Sequence, residues 1–194
     1  MKKSVNVRRL TGMAFFTAIV VILQFVGSCI HFGPFSVSLV LVPIVVGAAL
    51  YGVGAGAWLG FIFSLTVIFS GDAALFMPIN PLGTVATVIL KGTLAGLCAG
   101  LAFKAFGRKN EYVGVMTSAV VCPIVNTGVF LLGCLVFFMD TIRGWAEAAG
   151  FANVGTYMIV GFVGFNFLFE LLVNVVLGPV IMRLINLGKG RRAK

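Results

Sequence analysis

Two ionisable residues lie inside long apolar stretches of the chain. Lys91 falls within residues 82–105 and Glu170 within residues 157–182. A charge in the middle of a bilayer is costly, so such side chains face a partner or a cavity. A lysine there can bind a carboxylate, phosphate-like or carbonyl group of a ligand, with the glutamate as its counter-charge.

The depths of the two residues leave two interpretations open. Counted at 1.5 Å per residue from the start of each stretch, Lys91 is ~13 Å deep and Glu170 is ~20 Å deep. The difference of ~7 Å is within the combined reach of the side chains. The residues could form a buried Lys–Glu pair or face a ligand, and a pair at a cavity wall could do both.

Amide side chains accompany the two charges. Asn166, Glu170 and Asn174 have i, i+4, i+8 spacing, which places them along one helix face. Asn126 and Thr127 lie at comparable depth in another apolar stretch. Amides inside a bundle often only bond neighbouring helices, but their convergence is also what a small polar ligand needs. The candidate substrate-binding residues are Lys91, Asn126, Asn166, Glu170 and, in an outer loop, Asn80.

The composition predicts the elements that carry these residues. Of 194 residues, 60% are hydrophobic and 10% are charged, with a mean hydropathy of +1.14. A soluble domain needs more charge than this, whereas lipid solvates apolar side chains directly. We predict an all-α, polytopic membrane protein with a single domain over residues 1–194. Its six predicted transmembrane helices are 10–30, 35–51, 54–70, 82–105, 113–139 and 157–182.

Basic residues predict the orientation. With six crossings, one side receives twelve of the 14 Lys and Arg residues, in the two tails and in the loop near residue 108. Positive loops face the cytoplasm, so both the N-terminus and the C-terminus are predicted to be cytoplasmic. Two segments, 31–35 and 71–81, then lie outside and could form a lid. The second of them contains Asn80.

Small residues and cysteines have simpler interpretations. Glycines at four-residue spacing let helices approach closely, and they predict internal packing seams. The two series are Gly52, Gly56 and Gly60, and Gly92, Gly96 and Gly100. The four cysteines lie in or beside apolar stretches without CxxC spacing, which predicts inert thiols rather than a metal site or a disulfide framework.

Several function classes are disfavoured. The chain has one His, no HExxH, no Ser/His/Asp set and no Walker or Rossmann loop, so we predict no enzyme, no cofactor and no intrinsic ATP use. The net charge of +9 comes from residues at the ends of apolar segments, which does not indicate nucleic-acid binding.

Several motifs together resemble those of a known family, the S component of energy-coupling factor (ECF) transporters. These are an AxxxA pair at Ala14 and Ala18, the run from Pro43 to Gly56, and Pro123-Ile-Val-Asn126-Thr-Gly128. The resemblance covers nearly the whole chain. It implies a vitamin-binding subunit in the bacterial plasma membrane that works with a transmembrane coupling subunit and two ATPases. By the same resemblance, Ala14 and Ala18 would contact the coupling subunit.

The resemblance also narrows the substrate. The nickel/cobalt branch has an N-terminal His ligand that this chain lacks, and the two Trp residues are few for a thiamine-type aromatic cage. The chain looks closest to the branch that includes pantothenate, riboflavin and folate binders, and Lys91 as a carboxylate partner favours pantothenate. The alternatives are a solitary secondary transporter and a membrane scaffold without a ligand.

Overall fold

The chain folds into packed helices, and the computed structural model describes residues 7–29, 31–32, 35–36 and 38–190. In chain order the helices are α1 Val7–Gly27, α2 Leu41–Tyr51, α3 Val53–Phe69, α4 Pro81–Phe106, α5 Glu111–Phe137, α6 Met139–Ala148, α7 Val154–Thr156, a π-helix at Tyr157–Phe162, α8 Gly164–Val176 and α9 Gly178–Gly190. A two-residue antiparallel pair, β1 His31–Phe32 and β2 Phe35–Ser36, precedes α2.

Some predicted features lie outside this description. Residues 1–6 and 191–194, which carry part of the basic charge bias, are outside the described residues. The predicted lid at 31–35 is described only as the short β1–β2 backbone pair.

Three helices, α1, α4 and α5, are long and apolar enough to cross a membrane. Val154–Phe162 and Gly164–Val176 meet at a 45° bend and together qualify as one broken span. The helices α2 and α3 and the segment Gly178–Leu187 are apolar but shorter. The predicted helical membrane architecture is thus found, with three or four candidate spans among the described residues, and six full crossings stay a prediction.

The second predicted span, 35–51, is helical only from Leu41. At 1.5 Å per residue the 11 residues of α2 extend ~16 Å, about half of the ~30 Å hydrocarbon core. Leu41, Ile44 and Val45 are completely buried. A helix that is apolar on all sides belongs in a core, so this stretch is apolar because protein surrounds it.

The sixth predicted span, 157–182, is three helical pieces rather than one. At the first break the Val163 N–H donates to the Met158 carbonyl at 3.2 Å, five residues back. A Cβ on Gly164 would lie 2.5 Å from the Ile159 carbonyl oxygen, so the break needs a glycine there. Short π-helical turns often occur at functional sites, and this one leads directly into the helix that carries Asn166 and Glu170.

Helix α4 packs between α3 and α5. A Cβ on Gly60 would overlap the Gly92 carbonyl oxygen, and one on Gly56 would overlap that of Gly96. The predicted internal packing is therefore confirmed at these four glycines, and the structure shows that the two series pack against each other. Gly52 is an exception: it has φ +94° and open space around it, so it serves the turn between α2 and α3.

Candidate functional site

One cavity collects most of the charged and amide side chains that the apolar stretches carry. It lies among α1, Ser38 ahead of α2, the end of α3, the segment 70–80, α4, α5, Phe138 ahead of α6 and the broken last span. The space open to the centre of a water molecule is about 60 Å³, several times the ~10–15 Å³ that one water needs by this measure. Its polar lining residues are Gln24, Ser38, Asp72, Thr84, Thr87, Lys91, Asn126, Thr127, Asn166 and Glu170.

Four of the five predicted binding residues line this cavity: Lys91, Asn126, Asn166 and Glu170. Asn80 does not. Its side-chain oxygen accepts a hydrogen bond from the Gly83 N–H at 2.9 Å and caps α4. An Asn followed by Pro81 at the first helical position is a helix-start signal, and this local role accounts for the residue.

Glu170 is held by its own helix and by Ser38, which lies ahead of α2. It is 2% exposed, and its Oε1 accepts a hydrogen bond from Asn166 Nδ2 at 3.1 Å. Asn174 donates to the Glu170 backbone carbonyl at 2.9 Å and does not line the cavity. The predicted i, i+4, i+8 face therefore exists, but only its first two members reach the cavity.

Lys91 has aromatic neighbours. Its Nζ lies 5.2 Å from the centre of the Phe130 ring and 5.9 Å from that of Phe63. Among the described residues there is no direct Lys91–Glu170 salt bridge, although both line the cavity. Cation–π contacts of this kind stabilise an ammonium by ~2 kcal/mol when it is desolvated. Because a ring face is not an anion, the N–H groups of Lys91 can still bind the anionic group of a ligand.

Polar oxygens without partners cluster around the same space. Five buried side-chain oxygens of the lining have no hydrogen-bond partner among the described residues: Gln24 Oε1, Thr87 Oγ1, Asn126 Oδ1, Asn166 Oδ1 and Glu170 Oε2. Leaving a buried polar group unsatisfied costs ~1–3 kcal/mol. Such a cluster indicates a site for water or for a ligand that supplies hydrogen-bond donors.

An aromatic cluster forms one wall. The Phe76 ring is 4.8 Å from Phe138, 5.7 Å from Phe130, 5.8 Å from Trp145 and 6.2 Å from Phe162, measured between ring centres. Phe76 is 4% exposed and belongs to the segment 71–81 that was predicted to form a lid. The cluster therefore joins this segment to α5, α6 and the π-helix.

Some lining residues were missed by the sequence reasoning, chiefly Gln24, Thr84 and Thr87. Gln24 offered a signal, because it is the only glutamine in the chain and lies within an apolar stretch. The two threonines offered little, since threonine in a membrane helix commonly bonds its own backbone.

The chain matches the family model described as "ECF transporter, substrate-specific component" over residues 8–182. It belongs to this family. The family is that of a transporter component, which agrees with a membrane protein that carries a polar cavity.

This substrate-specific component is also similar to the pantothenic acid transporter PanT of Lactococcus lactis subsp. cremoris. The two are 26% identical over 187 residues, which cover 88% of this chain and 89% of PanT. No solved structure matches the chain.

The residues that the resemblance assigned to docking lie on α1. Ala14 and Ala18 are both exposed, and their neighbour Phe15 is 63% exposed. This part of α1 therefore presents small side chains beside an uncovered aromatic ring.

Proposed function

We propose that this chain is the subunit that captures pantothenate, or a closely related vitamin, outside the cell and delivers it inwards. The observation that carries the proposal is one cavity that combines the Lys91 ammonium with five side-chain oxygens that lack a hydrogen-bond partner among the described residues. Pantothenate has a carboxylate at one end and an amide and hydroxyl groups beyond it. The carboxylate would bind Lys91 and the N–H and O–H groups would donate to the oxygens.

Other vitamins of the predicted branch fit less well. Riboflavin has no carboxylate to pair with Lys91 and has a rigid three-ring system. Folate is larger and carries two carboxylates. The similarity to PanT supports the same choice.

The proposal includes the partners. We infer six crossings with both termini in the cytoplasm, so that the segment 70–80 lies outside and α1 presents Ala14 and Ala18 to a transmembrane coupling subunit. Two cytoplasmic ATPases would supply the energy, because this sequence has no ATP-binding loop.

Native mass spectrometry of gently purified protein tests the substrate. We expect a retained small molecule with the mass of pantothenate, and added pantothenate should restore it after the protein is stripped. Riboflavin and folate serve as control ligands. A different retained mass would contradict the substrate, and a protein that retains and binds no small molecule would contradict the capture role.

A further inference from the structure

Gln24 occupies a special position at the end of α1. It is 1% exposed, three residues before the helix ends at Gly27, and it lines the cavity that Lys91 also lines. A glutamine so completely buried needs partners for both ends of its amide.

The nitrogen end of this amide faces the segment 70–80. Gln24 Nε2 donates to Asp72 Oδ2 and lies 3.4 Å from Ser70 Oγ. Ser70 Oγ in turn donates to Asp72 Oδ2 at 3.1 Å. A carboxylate only accepts hydrogen bonds, so the contact with Asp72 fixes which end of the amide carries the nitrogen.

Within the described part of the chain, the oxygen end of the amide lacks a partner and belongs to a residue that lines the cavity. Gln24 Oε1 is buried and has no partner among the described residues. Because it can only accept a hydrogen bond, whatever satisfies it must bring a donor. Lys91 is the lining cation, and the proposed function assigns its donors to a ligand carboxylate.

The segment that Gln24 holds also closes the cavity. Asp72 and Phe76 both line it, and Phe76 is inserted among the rings of α5, α6 and the π-helix. Hydrogen bonds from Phe76 and Met77 N–H to the Ala73 carbonyl, both at 3.1 Å, wind the segment into short turns. Displacing Asp72 would therefore disturb the attachment of this whole wall.

We propose that Gln24 is a ligand-binding residue that also fastens this wall. Its Oε1 accepts a hydrogen bond from a ligand hydroxyl or amide N–H, while its Nε2 keeps residues 70–80 over the cavity. One side chain thus links ligand recognition to closure. This inference rests on the proposed function for its ligand and on the geometry alone for its closure.

The binding half is tested with pantothenate and two analogues, each lacking one hydroxyl. Gln24→Leu should weaken pantothenate binding about tenfold, the loss typical of one hydrogen bond to a buried acceptor. For the analogue that lacks the group bound by Gln24, the same substitution should cost less affinity than it costs pantothenate, because this analogue loses only the contribution of the fastened wall. If the amide N–H of pantothenate is the donor to Gln24 instead, Gln24→Leu should weaken the binding of both deoxy analogues as much as that of pantothenate.

The matched control for this test is Thr11→Val, which also exchanges a polar for an apolar side chain on α1. Thr11 is exposed and bonds only its own helix, through the Val7 carbonyl. The affinity of the Thr11→Val protein for pantothenate should equal that of the wild type. Equal affinities of wild type and Gln24→Leu would overturn the binding half.

The closure half is tested without ligand, by hydrogen exchange of the amides of residues 74–80. Gln24→Glu places a carboxylate against Asp72, and exchange should become about fivefold faster. Adding Asp72→Asn restores a donor–acceptor pair with reversed polarity and should return exchange to within twofold of the wild type. This rescue separates a specific contact from general loss of folding.

Unaltered exchange in Gln24→Glu, or a double variant no slower than the single one, would overturn the closure half. A wild type that binds no pantothenate would instead contradict the proposed substrate. The exchange measurement needs no ligand and still decides whether Gln24 holds the segment.

Discussion

Among the described residues, Lys91 is the one cation that lines the cavity. Its ammonium lies near two ring faces, and no carboxylate of the described residues forms a salt bridge with it. Ring faces attract a cation less strongly than an anion does. A ligand that brings a carboxylate therefore gains more here than a neutral ligand of the same shape.

Lys91→Met should weaken pantothenate binding by ~10- to 100-fold, because a hydrogen bond to a charged group contributes ~1.5–3 kcal/mol. Methionine keeps most of the apolar stem and removes the charge. Isothermal titration of the purified protein measures the effect.

The control for this prediction is Lys104→Met, an exposed lysine later on α4 that does not line the cavity. Its affinity should be unchanged. If the two variants bind pantothenate equally well, Lys91 is not its carboxylate partner.

At the scale of the elements, glycine contacts set the position of α4 and with it that of Lys91. Gly92 and Gly96 on α4 meet Gly60 and Gly56 on α3 through their backbones. Lipid offers helices no hydrophobic reason to associate, so close backbone packing has to supply the attraction. Lys91 directly precedes Gly92, and any separation of the two helices would move its ammonium.

Gly60→Ala should destabilise the protein, by ~1–3 kcal/mol if its cost is that of an overpacked core. The added methyl would overlap the Gly92 carbonyl, which belongs to the backbone and cannot move aside. A thermal melt in detergent should show a lower midpoint, and pantothenate affinity should fall with it.

Gly54→Ala is the matched control on the same helix, because a Cβ there meets nothing within 4 Å. Alanine is the better helix former, so this variant should melt at or above the wild-type temperature. A Gly60→Ala protein as stable as Gly54→Ala would argue against the seam as the element that positions Lys91.

At the scale of the whole molecule, the proposed transport cycle separates capture from energy supply. In the proposed cycle the cavity binds the ligand by itself. The sequence offers no ATP-binding loop, and Glu170 is the one acid deep within the apolar stretches. A proton-driven carrier commonly uses chains of intramembrane acids. These features favour an ATP-driven complex over a solitary secondary transporter.

Ala14→Leu should abolish pantothenate uptake by cells that express the whole complex, while leaving binding by the purified subunit unchanged. Leucine would enlarge an exposed small residue of α1 that lies away from the cavity. Radiolabelled uptake and equilibrium binding are the two measurements. The subunit reconstituted alone should bind pantothenate without accumulating it.

Ala86→Leu supplies the control, since Ala86 is likewise exposed but lies on α4. It should transport normally. Normal uptake by Ala14→Leu would remove the docking role of α1, and ATP-independent accumulation by the subunit alone would support the secondary-transporter alternative.

The sequence by itself determined the helical membrane character of the chain and four residues of the candidate cavity. Lipid cannot satisfy a charge or an amide, so Lys91, Asn126, Asn166 and Glu170 had to turn towards protein, and the structure brings all four to one cavity. The i, i+4 spacing of Asn166 and Glu170 was sufficient to predict their shared face, because that spacing is a property of a single helix.

The tertiary structure decided which neighbours complete the site. Spacing along one helix does not state how that helix is rotated against another, so the contact of Gln24 with Asp72 and the insertion of Phe76 into the aromatic cluster were not predictable. Asn80 does not line the cavity, because its side-chain oxygen accepts a hydrogen bond at the start of α4. The composition of the apolar run 35–51 does not distinguish a crossing that faces lipid from a helix enclosed by protein, because both carry the same kind of residues.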